Sequence, residues 1–357
     1  MLPLRGHYTM PGGASIHVRG TIAGEPASDG VFTHCAFESD APYQPDNLLA
    51  RLAASLEGVA ADTSAMDLSA LLSSLLLPGD DLAGLTTDAI AIALRRMVGK
   101  ALDWTDLEFD IIYGPVLDPA VNVALDETLV EEVAAGRRKP FLRMWEWNAP
   151  QVVIGSYQSY ANELHHEGVL KHGITVTRRV SGGGTMFMEP ENCVTFSLVV
   201  PTALVEGMSF EQAYPYLDRW VMEALETMGV KARYVPLNDI ASDKGKIAGA
   251  AQKRWANGMM LHHVTMAYDI DTPKMLEVLR TGLERVSERG TASAVKWVDP
   301  LCSQISLSRA EVMQVLYDYF RAKYGATPSA LTPHEIEAAK QRCVEKFSTE
   351  EWTFKLP

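Results

Sequence analysis

The stretch TRRVSGGGTMFMEPEN, residues 177–192, contains the densest glycine cluster in the chain. Arg178 and Arg179 end the strand-like run ITVTRRV, and VTFSLVVP follows as another strand. Glycines let the backbone approach a ligand closely, and the N–H groups of such a turn can converge on an anion. The pattern predicts a strand–turn–strand unit with an anion site, although a plain hairpin turn with two exposed arginines stays open.

The same stretch argues against two common nucleotide-binding folds. It lacks the G-x-x-x-x-G-K-[ST] pattern, and no helical periodicity starts directly after the glycines, so a P-loop and a dinucleotide fold are disfavoured. Further along the chain, strands outnumber strand–helix–strand alternations. The sequence therefore predicts an α+β fold with a mixed, mostly antiparallel sheet.

A second segment of interest is PLNDIASDKGKIAGAAQKR, residues 236–254. Asn238 and Asp239 offer oxygen ligands of the kind that Mg²⁺ prefers. Lys246 stands in a strand among small residues, which allow a ligand to lie against the backbone beside a compact positive charge. The alternative is a solvated lysine on an edge strand.

Two adjacent histidines mark a third strand. His262 and His263 must face opposite sides of the sheet because side chains alternate along a strand. One of them can be a buried, hydrogen-bonded histidine while the other is exposed. The chain has no H-E-x-x-H motif, and no Ser-His-Asp pattern stands out.

Composition narrows the class of protein. The 357 residues are 47% apolar and 22% charged, enough for two domains with buried cores. The net charge of −13 argues against nucleic acid or a membrane as the main partner, and no apolar run reaches the ~18 residues of a membrane span. The start of the chain lacks the apolar core of a secretory signal. Four scattered cysteines without C-x-x-C spacing indicate reduced thiols in a cytoplasmic protein.

The order of these segments resembles the lipoate–protein ligase family, within the biotin/lipoate ligase superfamily. The resemblance extends over residues 105–357. Four motifs carry it: LRMWEWNAPQVVIGSYQS (142–159), RRVSGGGTMF (178–187), NDI with GKIAGAAQKR (238–254) and MLHHVTM (260–266). It implies a catalytic domain of the biotin/lipoate ligase type over residues 103–357. Residues 1–102 resemble the small accessory domain of these ligases, which is associated with the adenylation step.

The resemblance also implies a reaction. Lipoate and ATP would give lipoyl-adenylate and pyrophosphate, and the lipoyl group would then pass to a lysine of an acceptor protein with a lipoyl-type domain. ATP, Mg²⁺ and lipoate are the expected small molecules, with no tightly bound cofactor, and the enzyme is expected to be a monomer. Two anions meet in the first step, so cations and backbone donors are needed around them.

Roles for single residues follow from the resemblance alone. Lys246 would contact the junction of the carboxylate and the α-phosphate, and Arg178 would flank the lipoate carboxyl group. Asp239, with Asn238, would hold Mg²⁺ and the phosphates. The other positions predicted to bind substrate or nucleotide are Ser181, Gly182, Gly183, Gly184, Gly249, Ala250 and His262. An apolar slot for the dithiolane, or else plain core, is expected at Trp145, Val153, Ile154 and Met186.

Departures from the family pattern keep alternatives open. Met188, Glu189 and Val264 replace usual family residues, which leaves both lipoate and octanoate as substrates. A related octanoyltransferase would use a cysteine where this chain has Asn238-Asp239, so a thioester mechanism is disfavoured. Biotin ligase is disfavoured because its basic G-R-G-R-x-G-R loop is absent. A non-catalytic lipoyl-binding relative remains, and Lys246 argues against it.

Overall fold

The computed structural model describes residues 3–26, 29–280 and 298–356. The chain divides into two compact units, Met1–Leu107 with Thr202–Tyr216, and Glu108–Pro201 with Leu217–Pro357. The sequence placed the boundary after residue 102, and no pattern indicated that Thr202–Tyr216 groups with the first unit. The accessory role of the first unit stays a prediction.

The first unit is a three-stranded antiparallel sheet with three helices. The order of strands is β1-β2-β3. Leu48, Leu52 and Leu56, spaced four apart, are all fully buried. Thr86 caps the third helix by accepting a hydrogen bond from the N–H of Ala89. The elements are β1 (Leu4–Thr9), β2 (Ser15–Ala23), β3 (Val31–Ser39), α1 (Leu48–Ala54), α2 (Ala65–Ser74) and α3 (Thr87–Val98).

The second unit contains an eight-stranded sheet and a three-stranded sheet. The large sheet has the order β10-β11-β12-β13-β9-β5-β4-β14, and the small one β7-β6-β8. The strands are β4 (Asp110–Leu117), β5 (Phe141–Trp147), β6 (Gln151–Ile154), β7 (Thr175–Arg178), β8 (Met186–Met188), β9 (Cys193–Pro201), β10 (Arg233–Val235), β11 (Asp239–Ala241), β12 (Lys246–Arg254), β13 (Met259–Ala267) and β14 (Thr327–Ser329). In the large sheet only the β14–β4 and β4–β5 pairs are parallel. The predicted fold class, α+β with a mixed, mostly antiparallel sheet, is therefore confirmed.

The remaining helices in the described residues follow along the chain. They are α4 (Pro119–Ala134), α5 (Tyr160–Glu163), α6 (His166–Lys171), α7 (Phe210–Thr227), α8 (Thr272–Val278), α9 (Arg309–Tyr324), α10 (Pro333–Arg342) and α11 (Glu350–Thr353). Helix α4 begins as its sequence predicts, with Pro119 in the first turn and the Asp118 side chain accepting from the N–H of Ala120. The side chains of Leu125 and Leu129 join a core with Phe141.

Strand register decides which side chains share a face of the large sheet. Ala251 pairs with His263 across β12 and β13, and Gly249 pairs with Thr265. The β11–β12 register is irregular, because Ile240 pairs with Ala248 while Ala241 pairs with Lys246. One residue of β12 is thus skipped, and the Lys246 side chain turns toward Gly249. The site lies on this face.

Candidate functional site

A cavity opens on this face of the second unit. Four apolar side chains form one part of its wall: Trp145, Val153, Met186 and Met188. Polar side chains form another: Arg179, Thr195, Asn238, Lys246, His263 and Thr265. A cavity with an apolar wall and a few convergent polar groups is typical of a small-molecule site.

Lys246 is the cation at the polar wall. Its Nζ lies 2.8 Å from Oδ1 of Asp239, and the two side chains are 29% and 5% exposed. Gly249 makes room for the lysine, since a Cβ on this residue would lie 2.7 Å from the lysine Nζ. Asn238 fixes the neighbouring backbone by donating from Nδ2 to the carbonyl of Ala250 at 2.6 Å. The predicted residues of this segment therefore do come together at one place.

The glycine loop, residues 181–184, is held by Arg179. The guanidinium donates to the carbonyls of Gly182 and Gly184 at 2.6 and 2.8 Å. Gly183 has a φ of +91°, which favours glycine. Gly155 must also be small, because a Cβ there would lie 2.2 Å from the Gly183 carbonyl oxygen. Of the loop glycines, Gly184 lines the cavity.

Arg178, which we expected to flank a carboxyl group of the substrate, is not brought to the cavity. Its side chain is fully buried. It donates to the carbonyls of Gly155 and Gln158, and on the other side to those of Trp352 and Thr353. Its N–H groups therefore connect β7 to helix α11. Arg179, its neighbour, lines the cavity instead.

The two adjacent histidines face opposite sides of the sheet, as the alternation of side chains along a strand requires. The residue that faces the cavity, however, is His263 and not the predicted His262. His262, the predicted binding residue, is fully buried, and its Nε2 lies 2.6 Å from Oδ1 of Asp218 on α7. His263 lines the cavity. The correction follows from register, because His263 pairs with Ala251 and therefore faces the cavity.

His263 belongs to a buried chain of hydrogen bonds. Its Nδ1 donates to Oδ2 of Asp126 at 2.9 Å, and its Nε2 accepts from the Ser181 hydroxyl at 2.6 Å. Oδ1 of Asp126 accepts from Arg143 at 2.9 Å and from Ser197 at 2.6 Å. The chain therefore connects helix α4 to the glycine loop.

The protonation states of this chain follow from burial and charge. Burial lowers the pKa of His263 below its usual value, which outweighs the hydrogen bond to Asp126. Burial alone would raise the pKa of Asp126, but the hydrogen bond from His263 and the charge of Arg143 hold it below its usual value. A neutral imidazole beside a carboxylate results.

The Ser181–His263–Asp126 order is that of a hydrolytic triad, which the sequence did not reveal. Ser181 is only 1% exposed, and its hydroxyl also accepts from Nε of Arg179 at 3.0 Å. A hydroxyl so enclosed cannot reach a substrate. We conclude that these three residues position the glycine loop rather than act as nucleophile and base.

The apolar wall agrees with three of the four residues proposed for a dithiolane slot. Trp145, Val153 and Met186 line the cavity. Ile154 does not, since it is packed with Val152 in a separate core cluster. Met188, where the family pattern is broken, contributes to the wall.

Asp239 is the residue predicted to hold Mg²⁺. Among the residues that the structure describes, no group of three or more His, Cys, Asp or Glu side chains is placed to hold a metal ion. Mg²⁺ is often held by one carboxylate together with substrate phosphates, so the single Asp239 fits an ion that arrives with a nucleotide. Mg²⁺ stays a prediction.

Comparison with known proteins identifies the family. The model of the lipoyl protein ligase A/B catalytic domain matches residues 118–321, more than half of the chain. The chain belongs to this family. The resemblance drawn from the four motifs is thereby confirmed, and the protein is an enzyme of the lipoate/biotin ligase superfamily.

Relatives in this family include both transferases and ligases. The chain is 28% identical over 266 residues to octanoyltransferase LipM of Halalkalibacterium halodurans, covering 67% of this chain and 95% of the relative. It is 27% identical over 245 residues to probable lipoate-protein ligase A of Mycoplasma genitalium, covering 68% of this chain and 71% of the relative. Family membership alone therefore does not choose between ligase and octanoyltransferase.

Solved structures share the fold. The bipartite lipoate protein ligase of Thermoplasma acidophilum, described with its E2 lipoyl domain, superposes with a TM-score of 0.58 at 24% identity, covering 70% of this chain and 98% of that one. A lipoate-protein ligase A bound with ATP gives a TM-score of 0.58 at 24% identity, with 70% and 100% covered. At this identity the likeness shows the fold alone.

Over residues 3–26, 29–280 and 298–356, no helix has the length and apolar character to cross a membrane. All four cysteines are free thiols. The cytoplasmic location and the monomeric state stay predictions.

Proposed function

We propose that this chain is an ATP-dependent lipoate–protein ligase. The observation that carries the proposal is the placement of Lys246 on the polar wall of the cavity, with its ammonium held by Asp239 and with Gly249 making room for it. A compact cation of this kind suits the meeting of a carboxylate and a phosphate, where negative charge must be offset.

In the first half-reaction a carboxylate oxygen of lipoate attacks the α-phosphorus of ATP. The bond from that phosphorus to the bridging oxygen breaks, and pyrophosphate leaves. Lys246 stabilises the charge that develops, and the glycine loop held by Arg179 lies alongside. Mg²⁺, held by Asp239 with Asn238 nearby, would supply further positive charge to the phosphates.

In the second half-reaction the neutral amine of an acceptor lysine attacks the acyl carbon. The bond to the adenylate oxygen breaks, AMP leaves and the amine releases a proton to solvent, so the enzyme need only position the two reactants. Relatives of similar fold are described with an E2 lipoyl domain and with ATP, which supports these partners here. We assign the first unit the role of accessory domain in adenylation, on the strength of its sequence pattern.

Octanoyl transfer through a thioester is the second candidate, because LipM relatives match along nearly their whole length. It needs a thiolate beside the acyl group. None of the four cysteines, all of which lie in the described ranges, lines the cavity. Burial raises the pKa of the Cys193 thiol to about 12. The chemistry of the cavity therefore favours the adenylate route.

Exchange of labelled pyrophosphate into ATP tests the proposal. Wild-type protein should show exchange that depends on lipoate or octanoate. Lys246→Ala should abolish it without loss of fold, because the proposed role of the lysine is charge stabilisation and not packing. Lys244→Ala, an exposed lysine of the same segment, is the matched control and should keep the wild-type rate. Exchange in the Lys246 variant equal to that of the control would refute the assignment.

A further inference from the structure

A group of lysines and aromatic rings lies beside the glycine loop in the second unit. Nζ of Lys355 lies 3.9 Å from the ring centroid of Trp352, and Nζ of Lys346 lies 4.3 Å from the same centroid. Lys253 stacks on Trp255 at 4.6 Å. We refer to the following residues as the lysine–aromatic patch: Tyr157, Lys253, Lys346, Trp352, Phe354 and Lys355.

The patch adjoins the loop through two contacts. Lys355 donates to the hydroxyl of Ser156 at 3.0 Å, and the N–H of Ser156 donates to the Ser181 carbonyl at 2.8 Å. The Tyr157 ring lies next to Gly182, where a Cβ would meet it at 3.6 Å. The patch therefore adjoins the glycine loop, whose last residue, Gly184, lines the cavity.

Positive charge in the patch is only partly neutralised. Lys346 pairs with Glu127 at 2.7 Å. Lys253 and Lys355 form no salt bridge with any carboxylate in the described part of the chain. Burial, together with the charges of Arg178, Lys346 and Lys253, lowers the pKa of Lys355 to about 8. Such crowding of like charges is unfavourable, and an anionic partner would offset it.

Distance argues that this partner is not the nucleotide. Gly249, Ala251 and Lys253 share one face of β12, and the Lys246 ammonium lies over Gly249. Lys253 lies four residues further on, roughly 13 Å along the strand. That is beyond the β- and γ-phosphates of a nucleotide whose α-phosphate is at Lys246. It is within the footprint of a docked protein, which covers about 800 Å² per partner, or about 16 Å in radius.

We propose that the lysine–aromatic patch docks an acidic face of the acceptor protein. This inference rests on the proposed ligase function. Carboxylates of the acceptor would pair with Lys253 and Lys355, while Phe354 and Tyr157, 45% and 38% exposed, supply aromatic contacts. A partner held here presents its lysine to the neighbouring cavity.

The two half-reactions test this separately. The double variant Lys253→Glu/Lys355→Glu should raise the KM for an apo lipoyl domain of a 2-oxoacid dehydrogenase about tenfold or more, because reversed charges repel an acidic face. Its lipoate-dependent ATP–pyrophosphate exchange should stay within about twofold of wild type, since no nucleotide contact is removed. The control Lys231→Glu/Arg321→Glu makes the same change in net charge at exposed positions outside the patch.

Each outcome decides the inference. A KM that is raised in the patch variant but not in the control variant supports docking. A KM that rises with ionic strength for the wild type but not for the patch variant supports it as well. An unchanged KM overturns the docking surface while exchange still supports the ligase. Equal losses of exchange and transfer overturn it as well, because the patch would then serve the nucleotide. Absence of exchange in the wild-type protein removes the ligase and the docking proposal together.

Discussion

Gly249→Ala is the sharpest test of how the structure holds its reactive cation. The new methyl group would lie 2.7 Å from Nζ and 3.0 Å from Cε of Lys246, and 3.6 Å from Oδ1 of Asp239. The two contacts with the lysine are closer than van der Waals packing allows, since non-bonded atoms prefer about 3.5–4.0 Å. The lysine is a flexible side chain that is free to move, so the backbone should keep its course while the ammonium is displaced by about 1 Å.

The size of the effect follows from that displacement. A misplacement of 1 Å in a reacting group costs roughly 100-fold in rate, so lipoate-dependent ATP–pyrophosphate exchange should fall by about that factor. Stability should change little. Alanine in a strand gains roughly 0.5–1 kcal/mol over glycine. This gain opposes the loss of a partly exposed ion pair, so the melting temperature should stay within about 4 °C of wild type.

Two controls separate this reasoning from a general defect. Gly12→Ala makes the same substitution at a position with no atom within 4 Å of the new methyl group, and should leave both readouts unchanged. In a Lys246→Ala background, Gly249→Ala should become stabilising, because the clash disappears with the lysine. An exchange rate within twofold of wild type for Gly249→Ala alone would show that the ammonium need not lie where the structure has it.

Three further predictions concern the buried chain and the thiols. Asp126→Asn should lower the free energy of unfolding in urea by about 3–5 kcal/mol, because Arg143 is left buried without its charge partner; a loss under about 1 kcal/mol would contradict this. Burial lowers the pKa of His263, so as the pH falls below 6.5 the imidazole is protonated in the unfolded chain before it is protonated in the folded one. The free energy of unfolding of the wild type should therefore decline below pH 6.5. The free energy of unfolding of His263→Asn should decline less over the same pH range. Parallel curves for the variant and the wild type would show that His263 does not have a lowered pKa in the folded protein. Cys193→Ala and alkylation of Cys302 should leave lipoyl transfer unchanged, with no acyl adduct in the intact mass; an adduct would indicate a thioester.

Much of the fold was predictable because its local signals are strong. Strand-like runs on either side of the glycine cluster indicated β7 and β9, whereas the short strand β8 was not predicted, and the Asp118-Pro119 pair indicated the start of α4. The excess of strands over alternating units predicted the mostly antiparallel sheet. The grouping of Thr202–Tyr216 with the first unit was not predictable, because a local sequence pattern does not indicate which distant segment packs against it.

The candidate site was predictable by segment but not by residue. Lys246, Asn238 and Gly249, which the motifs singled out, line one cavity, and their roles stay predictions. The resemblance assigned Arg178 to the substrate carboxyl group, whereas Arg179 lines the cavity. Asp126 was missed because α4 supplies it from a distant part of the chain, and the N-x-x-x-D spacing with Asn122 was the only hint.

The residue pattern alone indicated the chemical groups of the candidate site: one lysine among small residues, a glycine turn after two arginines, and no cysteine where the resemblance would place a thioester. Which of two neighbouring residues reaches the cavity depends on the folded chain. Adjacent residues of a strand point to opposite faces, so whether Arg178 or Arg179, and His262 or His263, meets the cavity depends on register and on what packs behind. That choice is set by partners far away in the chain, such as Asp218 for one histidine and Asp126 for the other.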